Sequence, residues 1–177
     1  MFLFIVIYPL IFNTALSFYD WDGFRKGIFT EFAGFNNYVE LAKNEYFWVS
    51  LRNTAYFELA CSVFQVSIPL IFAVVLYYGL FKYENIIKGL IYFPALVSPV
   101  VVGLLWRFFF SFNGQINEVL RSIGLGFLAI EWFGNIYTPI WIIAFINIWQ
   151  WTGFGIVIFY AGLTSIDNEL IEAAQVD

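Results

Sequence analysis

The chain has 177 residues, of which 62% are hydrophobic, 23% aromatic and only 12% charged, with a formal net charge of −5 and no histidine. Ordinary soluble domains carry about a quarter of their residues as charges, so this composition belongs in a bilayer, and its acidic balance offers no basic surface for nucleic acid. The single cysteine, Cys61, excludes an intramolecular disulfide and, without histidine, leaves no Cys/His cluster for a metal.

In chain order, four stretches qualify as the roughly 20 predominantly apolar residues that a helix needs to cross the hydrocarbon: Phe2 to Phe18, Thr54 to Tyr78, Ile86 to Phe112 and Tyr137 to Leu163. The first has no positive lead and no small-x-small cleavage site, so it reads as a retained span rather than a signal peptide. After it comes a mixed polar and aromatic segment with a short helical pattern over Asn37 to Asn44. A tight turn carrying Lys82 and Lys88 joins the second and third spans. Between the third and fourth, SFNGQINEVLRSIGLGFLAIEWFGN predicts a turn, a short amphipathic helix over Ile116 to Ile123 and a loop rich in Gly and aromatics. Pro94, Pro99, Gly153 and Gly155 interrupt the last two spans, as neighbouring helices in a bundle allow. No repeat appears, so the expected architecture is one all-α domain, an integral membrane bundle of four transmembrane helices with short extramembrane helices. Lys and Arg counts on the two sides of these spans do not fix the orientation.

The last twelve residues, 166 to 177, change character. Ile166, Leu170, Ala173 and Ala174 recur at helical spacing on one face, with Asp167, Asn168, Glu172 and Gln175 on the other. Ser165 or Asp167 is placed to cap the first turn, and Asp167 and Glu169 complement the positive end of the helix dipole. The Ala pair removes bulk where another chain could approach, and Glu172 can accept hydrogen bonds from a basic partner. A solvated surface helix without a partner is the competing reading.

Three blocks carry a resemblance. FAGFNNYVELAKNEYFWVSLRNTAYF (32 to 57), YFPALVSPVVVGLLWRFFF (92 to 110) and WQWTGFGIVIFYAGLTSIDNELIEAAQVD (149 to 177) occur in order and at the spacing of the sugar-type (maltose and glycerol-phosphate) ABC importer permeases, which this chain resembles from about Ile7 onward. The resemblance implies cytoplasmic placement of the N-terminus and of the EAA segment, and extracytoplasmic placement of the long first loop and of the third-to-fourth connection. It implies six spans, so the chain reads as an N-terminal portion of the domain that stops within the EAA motif. Leu170, Glu172, Ala173, Ala174 and Asp177 then become the expected contacts of a separate ATPase. A second permease subunit, an ATP-binding subunit dimer and an extracytoplasmic solute-binding protein are the partners implied, at the cell membrane.

Polar groups inside spans are costly in hydrocarbon unless they face a partner or a wet cavity. Asn147, Trp149, Gln150 and Trp151, in AFINIWQWTGFG, combine amides that bond hydroxyls with aromatic faces that stack on C–H surfaces, which suits a sugar path. Helix–helix hydrogen bonding is the alternative for each of them, as for Gln65 and Ser67. Pro94, Ser98 and Pro99 are expected to bend the third span. Glu58 is expected to reach interface water or a basic residue such as Arg52.

The function expected is that of a non-enzymatic permease subunit for a carbohydrate or polyol; no G-x-x-x-x-G-K-[ST] loop is present, and no cofactor is expected. An ion-coupled secondary transporter would require ionisable residues at mid-bilayer, and a membrane-embedded enzyme convergent acids, bases or metal ligands; a non-functional gene fragment is the remaining alternative. The identity of the sugar is not written in these residues.

Overall fold

The structure, a computed structural model, describes residues 1–21, 23–24, 27–29, 31–79, 84–134 and 136–167. Among them the architecture is all-helical, with one isolated antiparallel bridge between Tyr19 and Phe32. Where the sequence reads as one domain, the chain groups into two compact units, Met1–Thr54 and Ala55–Asp177.

In the first unit a π-helical segment, Leu3–Ile7, runs into α1 (Tyr8–Leu16), and α2 spans Asn36–Lys43, one residue from the expected start. Leu3–Leu16 is apolar but shorter than a full crossing requires. Its end is tied to α2 by Asn37, whose Nδ2 donates to the carbonyls of Ser17 and Tyr19 at 2.9 and 3.0 Å. Around this knot Phe18 packs against Phe35 and Tyr38, and Tyr19 meets Phe29 and Phe32 edge-on. An aromatic-rich polar connection thus holds itself together with side-chain amides and ring edges rather than with strands.

Helix α3 (Glu45–Tyr77) starts in the first unit and continues into the second. Asn44 caps it, its Oδ1 accepting from the Tyr46 N–H at 2.9 Å. The second unit adds α4 (Glu84–Leu96), α5 (Pro99–Phe109), α6 (Gln115–Ser122), a 3₁₀ turn at Gly126–Leu128 and α7 (Thr138–Thr164). Two helices, α3 and α7, are long and apolar enough to cross a membrane. The expected single span from Ile86 to Phe112 is instead two helices, Ile86–Leu96 and Pro99–Phe109, bent by 96° at a short break. The cause is local. Pro94 and Pro99 both lack an N–H, and the residue before a proline is pushed out of the α region, as Ser98 is with ψ 132°.

The glycines of α7 do not interrupt it; they let other backbones come close. A Cβ on Gly153 would lie 2.2 Å from the Ile91 carbonyl oxygen of α4, and one on Gly155 would lie 2.9 Å from the ring of Pro69 in α3. These notches seat α7 against both neighbours, in the manner of small residues at helix interfaces in lipid. Ser165, which with Asp167 is one of the two expected caps for the tail, ends α7, its hydroxyl donating to the Gly162 carbonyl at 2.7 Å. The tail residues Leu170, Glu172, Ala173, Ala174 and Asp177 lie outside the described residues.

Candidate functional site

Successive positions of α7 project to different neighbours, and the structure accordingly separates the four polar and aromatic candidates. Asn147 is half-buried toward α3, where its Oδ1 accepts from Gln65 Nε2 at 2.6 Å and from the Cys61 thiol at 3.7 Å. Gln150 is buried, 4% exposed, and its Nε2 donates to the Val97 carbonyl at 3.1 Å, at the break between α4 and α5. Trp149 stands edge-on to Trp106 of α5, with ring centroids 5.4 Å apart. Trp151 is 41% exposed and meets Phe154 of its own helix. Thus Asn147 and Gln150 both serve contacts between helices, with different neighbours of α7, and Trp149 borders a cavity.

That space is a cavity of about 420 Å³ lined by Ile68 of α3, Leu90, Ile91 and Pro94 of α4, and Phe145, Ile148, Trp149 and Thr152 of α7. Its volume falls within the roughly 300–1,000 Å³ of small-molecule sites. The walls are nearly all hydrocarbon, and the Thr152 hydroxyl is engaged with the Ile148 carbonyl at 2.6 Å. Trp149 therefore supplies its aromatic surface, suited to stacking on C–H faces. Near the other end of the same helices a smaller cavity, about 150 Å³, lies beside Lys88, whose ammonium sits 3.9 Å from the centroid of the Tyr160 ring.

Two residues that sequence reasoning passed over, Trp106 and Asn117, also organise the region. Trp106 is the hub of an aromatic cluster with Phe109, Phe110, Phe145 and Trp149. Asn117, fully buried, donates to the carbonyls of Phe112 and Ile130 at 3.0 and 2.8 Å and accepts from Trp132 Nε1 at 2.9 Å. It fixes the connection from α5 through α6 toward α7. Glu58 is exposed on α3 and accepts from the Ser62 hydroxyl at 3.2 Å. Glu58 was visible in the sequence as a charge beside an apolar run; Trp106 and Asn117 gave no signal that set them apart from other interface aromatics and helix-surface amides. Among the described residues no group of His, Cys, Asp or Glu could hold a metal ion.

Comparison with known proteins gives consistent results. Residues 65–177 match the family described as binding-protein-dependent transport system inner membrane component. The chain is 30% identical, over 97% of its length and 56% of the relative's, to the lactose transport system permease protein LacF of Rhizobium radiobacter. It is 32% identical, over 99% of its length and 55% of the relative's, to the arabinooligosaccharides transport system permease protein AraP of Bacillus subtilis. It thus spans about half the length of the curated relatives it matches. Among solved structures, a bacterial ABC transporter involved in the import of the acidic polysaccharide alginate has a similar chain, with a TM-score of 0.78 and 26% identity, covering 99% of this chain and 58% of that one. A bacterial alginate ABC transporter in complex with an alginate pentasaccharide-bound periplasmic protein matches with a TM-score of 0.79 at 24% identity, over 99% and 57% of the two chains.

Proposed function

The chain belongs to the binding-protein-dependent transport system inner membrane components, and from that premise we propose that it acts as a permease subunit of an ATP-driven ABC importer, forming half of the path for a carbohydrate or polyol. The observation that carries the reading is the match over residues 65–177, which includes α7 and the segment after it. Four spans are proposed within the chain, with Leu3–Leu16, α3, the bent α4–α5 pair and α7 as their helical cores, in a domain of six. Residues 166–177 are proposed as a cytoplasmic coupling helix, with the long first loop and the α5–α7 connection on the opposite side.

In this reading ATP is hydrolysed by a separate subunit dimer that receives Leu170, Glu172, Ala173, Ala174 and Asp177. A second permease completes the pore, and a solute-binding protein delivers the sugar from outside. Asn147, Trp149, Gln150 and Trp151 remain the α7 candidates for the path. Trp149 is supported by its place on the cavity wall, whereas Asn147 and Gln150 contribute by holding α3 and the α4–α5 break around it. The sugar class is supported by the similarity to the lactose and arabinooligosaccharide permeases LacF and AraP.

The test is co-purification of the natural full-length permease with its ATPase and ATP-dependent sugar uptake in vesicles. Glu172→Lys is expected to abolish both assembly and uptake. Unchanged assembly together with unchanged uptake would overturn the coupling role.

A further inference from the structure

Along α3, Glu58, Ser62, Gln65, Pro69, Ala73 and Leu76 follow one another at steps of three or four residues, so they share one face of the helix. The C-terminal half of that face is closed. Pro69 meets Gly155 of α7, and Ala73 and Leu76 are 0% and 1% exposed. The N-terminal half of the same face is polar and opens progressively: Gln65 is half-buried on Asn147, while Ser62 and Glu58 are exposed. The face that becomes polar is therefore the one that packs inward. Leu59, Val63 and Val66, which are exposed on the rest of the helix, are apolar, as contact with lipid requires.

A carboxylate facing hydrocarbon is strongly disfavoured, and among the described residues the Ser62 hydroxyl fills one of its roughly four acceptor positions. The remaining positions call for water or for hydroxyl and amide donors. We propose that Glu58, Ser62, Gln65 and Asn147 form a continuous polar stripe lining a hydrated part of the translocation path, and that its lone negative charge selects an uncharged, hydroxyl-rich solute over an anionic one. Hydroxyl groups donate to the carboxylate and exchange bonds with both amides. A carboxylate-bearing sugar would instead meet a like charge on a stripe that carries no cation, an arrangement that raises the barrier to entry. Selection of a solute rests on the importer reading; the hydration and charge of the stripe do not.

The experiment uses the assembled full-length transporter in membrane vesicles, in a background where Cys61 and every other reactive cysteine of the assembly are replaced by Ser, so that one introduced thiol reports. Ser62→Cys is treated with membrane-impermeant methanethiosulfonates, one positively charged and one negatively charged. Reaction with both reagents from water is expected, and adding Glu58→Gln is expected to lower the ratio of positive to negative rates about tenfold. No reaction, or a ratio that Glu58→Gln leaves unmoved, would overturn the stripe. ATP-driven uptake is then compared for neutral and uronic-acid oligosaccharides of equal length. Uptake of the neutral class alone, with Glu58→Gln admitting the acidic one, supports the selection; equal uptake of both by the unaltered protein refutes it. Absence of ATP-driven uptake of either class, with labelling as expected, counts against the importer reading and leaves the hydrated, negative stripe standing.

Discussion

Gln150 of α7 donates from Nε2 to the Val97 carbonyl at 3.1 Å, and so supplies a hydrogen bond at the point where the α4–α5 chain turns through 96°. A broken helix at membrane depth exposes backbone groups that water cannot reach, and they must be met from within the protein. The two prolines create the need, and one amide, delivered from 53 residues farther along the chain, meets it.

Replacing that amide tests the account. Gln150→Leu keeps comparable bulk but leaves the Val97 carbonyl without this donor, at an expected cost of about 1–3 kcal/mol. Gln150→Glu is expected to cost more, since it sets a carboxylate against a carbonyl oxygen in a buried site. Thermal or denaturant unfolding of the detergent-solubilised protein measures both; a Gln150→Leu protein as stable as the original would show that the bond is incidental.

The α7 glycines make an ordered series. Gly153→Ala drives a Cβ to 2.2 Å from a backbone oxygen of α4, a contact no side-chain rotation relieves, so α4 must separate from α7. The loss is expected at the upper end of overpacking effects, about 3 kcal/mol or more. Gly162→Ala meets nothing within 4 Å, and alanine's better helix propensity is expected to leave stability unchanged or raise it by up to about 1 kcal/mol. Equal effects at the two positions, read by unfolding, would contradict the close seating of α7 on α4.

Much of this was legible beforehand, and the illegible part has a physical reason. Apolar length announced α3 and α7, and the pair Pro94 and Pro99 announced a bend, because both signals are local. That Asn147, Gln150 and Gln65 would need partners also followed from their cost in hydrocarbon. Which partner each would find did not follow, because Asn147 and Gln150 stand only about 60° apart around α7, the boundary that falls between them is set by where α3 and the α4–α5 break pack, and α7's composition is apolar on all faces. Asn147 and Gln150, three residues apart in AFINIWQWTGFG, thus serve two different interfaces. Glycine was misleading for a related reason: in sequence Gly153 and Gly155 look like breaks, whereas their role depends on backbones that approach from elsewhere in the chain. For the tail from Asn168 onward, the helical pattern of Ile166 to Ala174 remains a sequence expectation.

Asn117 shows how completely a loop can depend on one side chain. Its amide is 0% exposed and joins Phe112 and Ile130, and its oxygen receives the Trp132 indole N–H. Asn117→Asp preserves shape but removes the donor and turns an acceptor toward two carbonyl oxygens, so the loss is expected to exceed that of one neutral bond, at about 3 kcal/mol or more. Asn117→Ala is expected to loosen the α5–α7 connection, seen as faster amide exchange over residues 111–132 with α3 unaffected. Exchange rates in that segment equal to those of the unaltered protein would remove Asn117 from this role.

Trp106 presents the opposite case, a polar atom that makes no bond. Among the described residues its indole N–H is buried without an acceptor, while its rings meet Phe109, Phe110, Phe145 and Trp149 at centroid distances of 5.4 to 5.7 Å. Its contribution to stability is therefore aromatic area and edge-to-face contact, from which the stranded donor subtracts. Trp106→Phe retains a ring and removes the donor, and the two changes are expected to offset to within about 1 kcal/mol. Trp106→Ala empties the hub and is expected to cost about 3–5 kcal/mol. Trp149 packs directly on this ring, so Trp106→Ala also frees the wall of the 420 Å³ cavity; the fluorescence emission of Trp149, measured with the other tryptophans replaced, is expected to shift to the red in Trp106→Ala and to stay in place in Trp106→Phe. A large loss of stability in Trp106→Phe would mean that the N–H has a partner in the assembled protein and that the ring contacts are secondary.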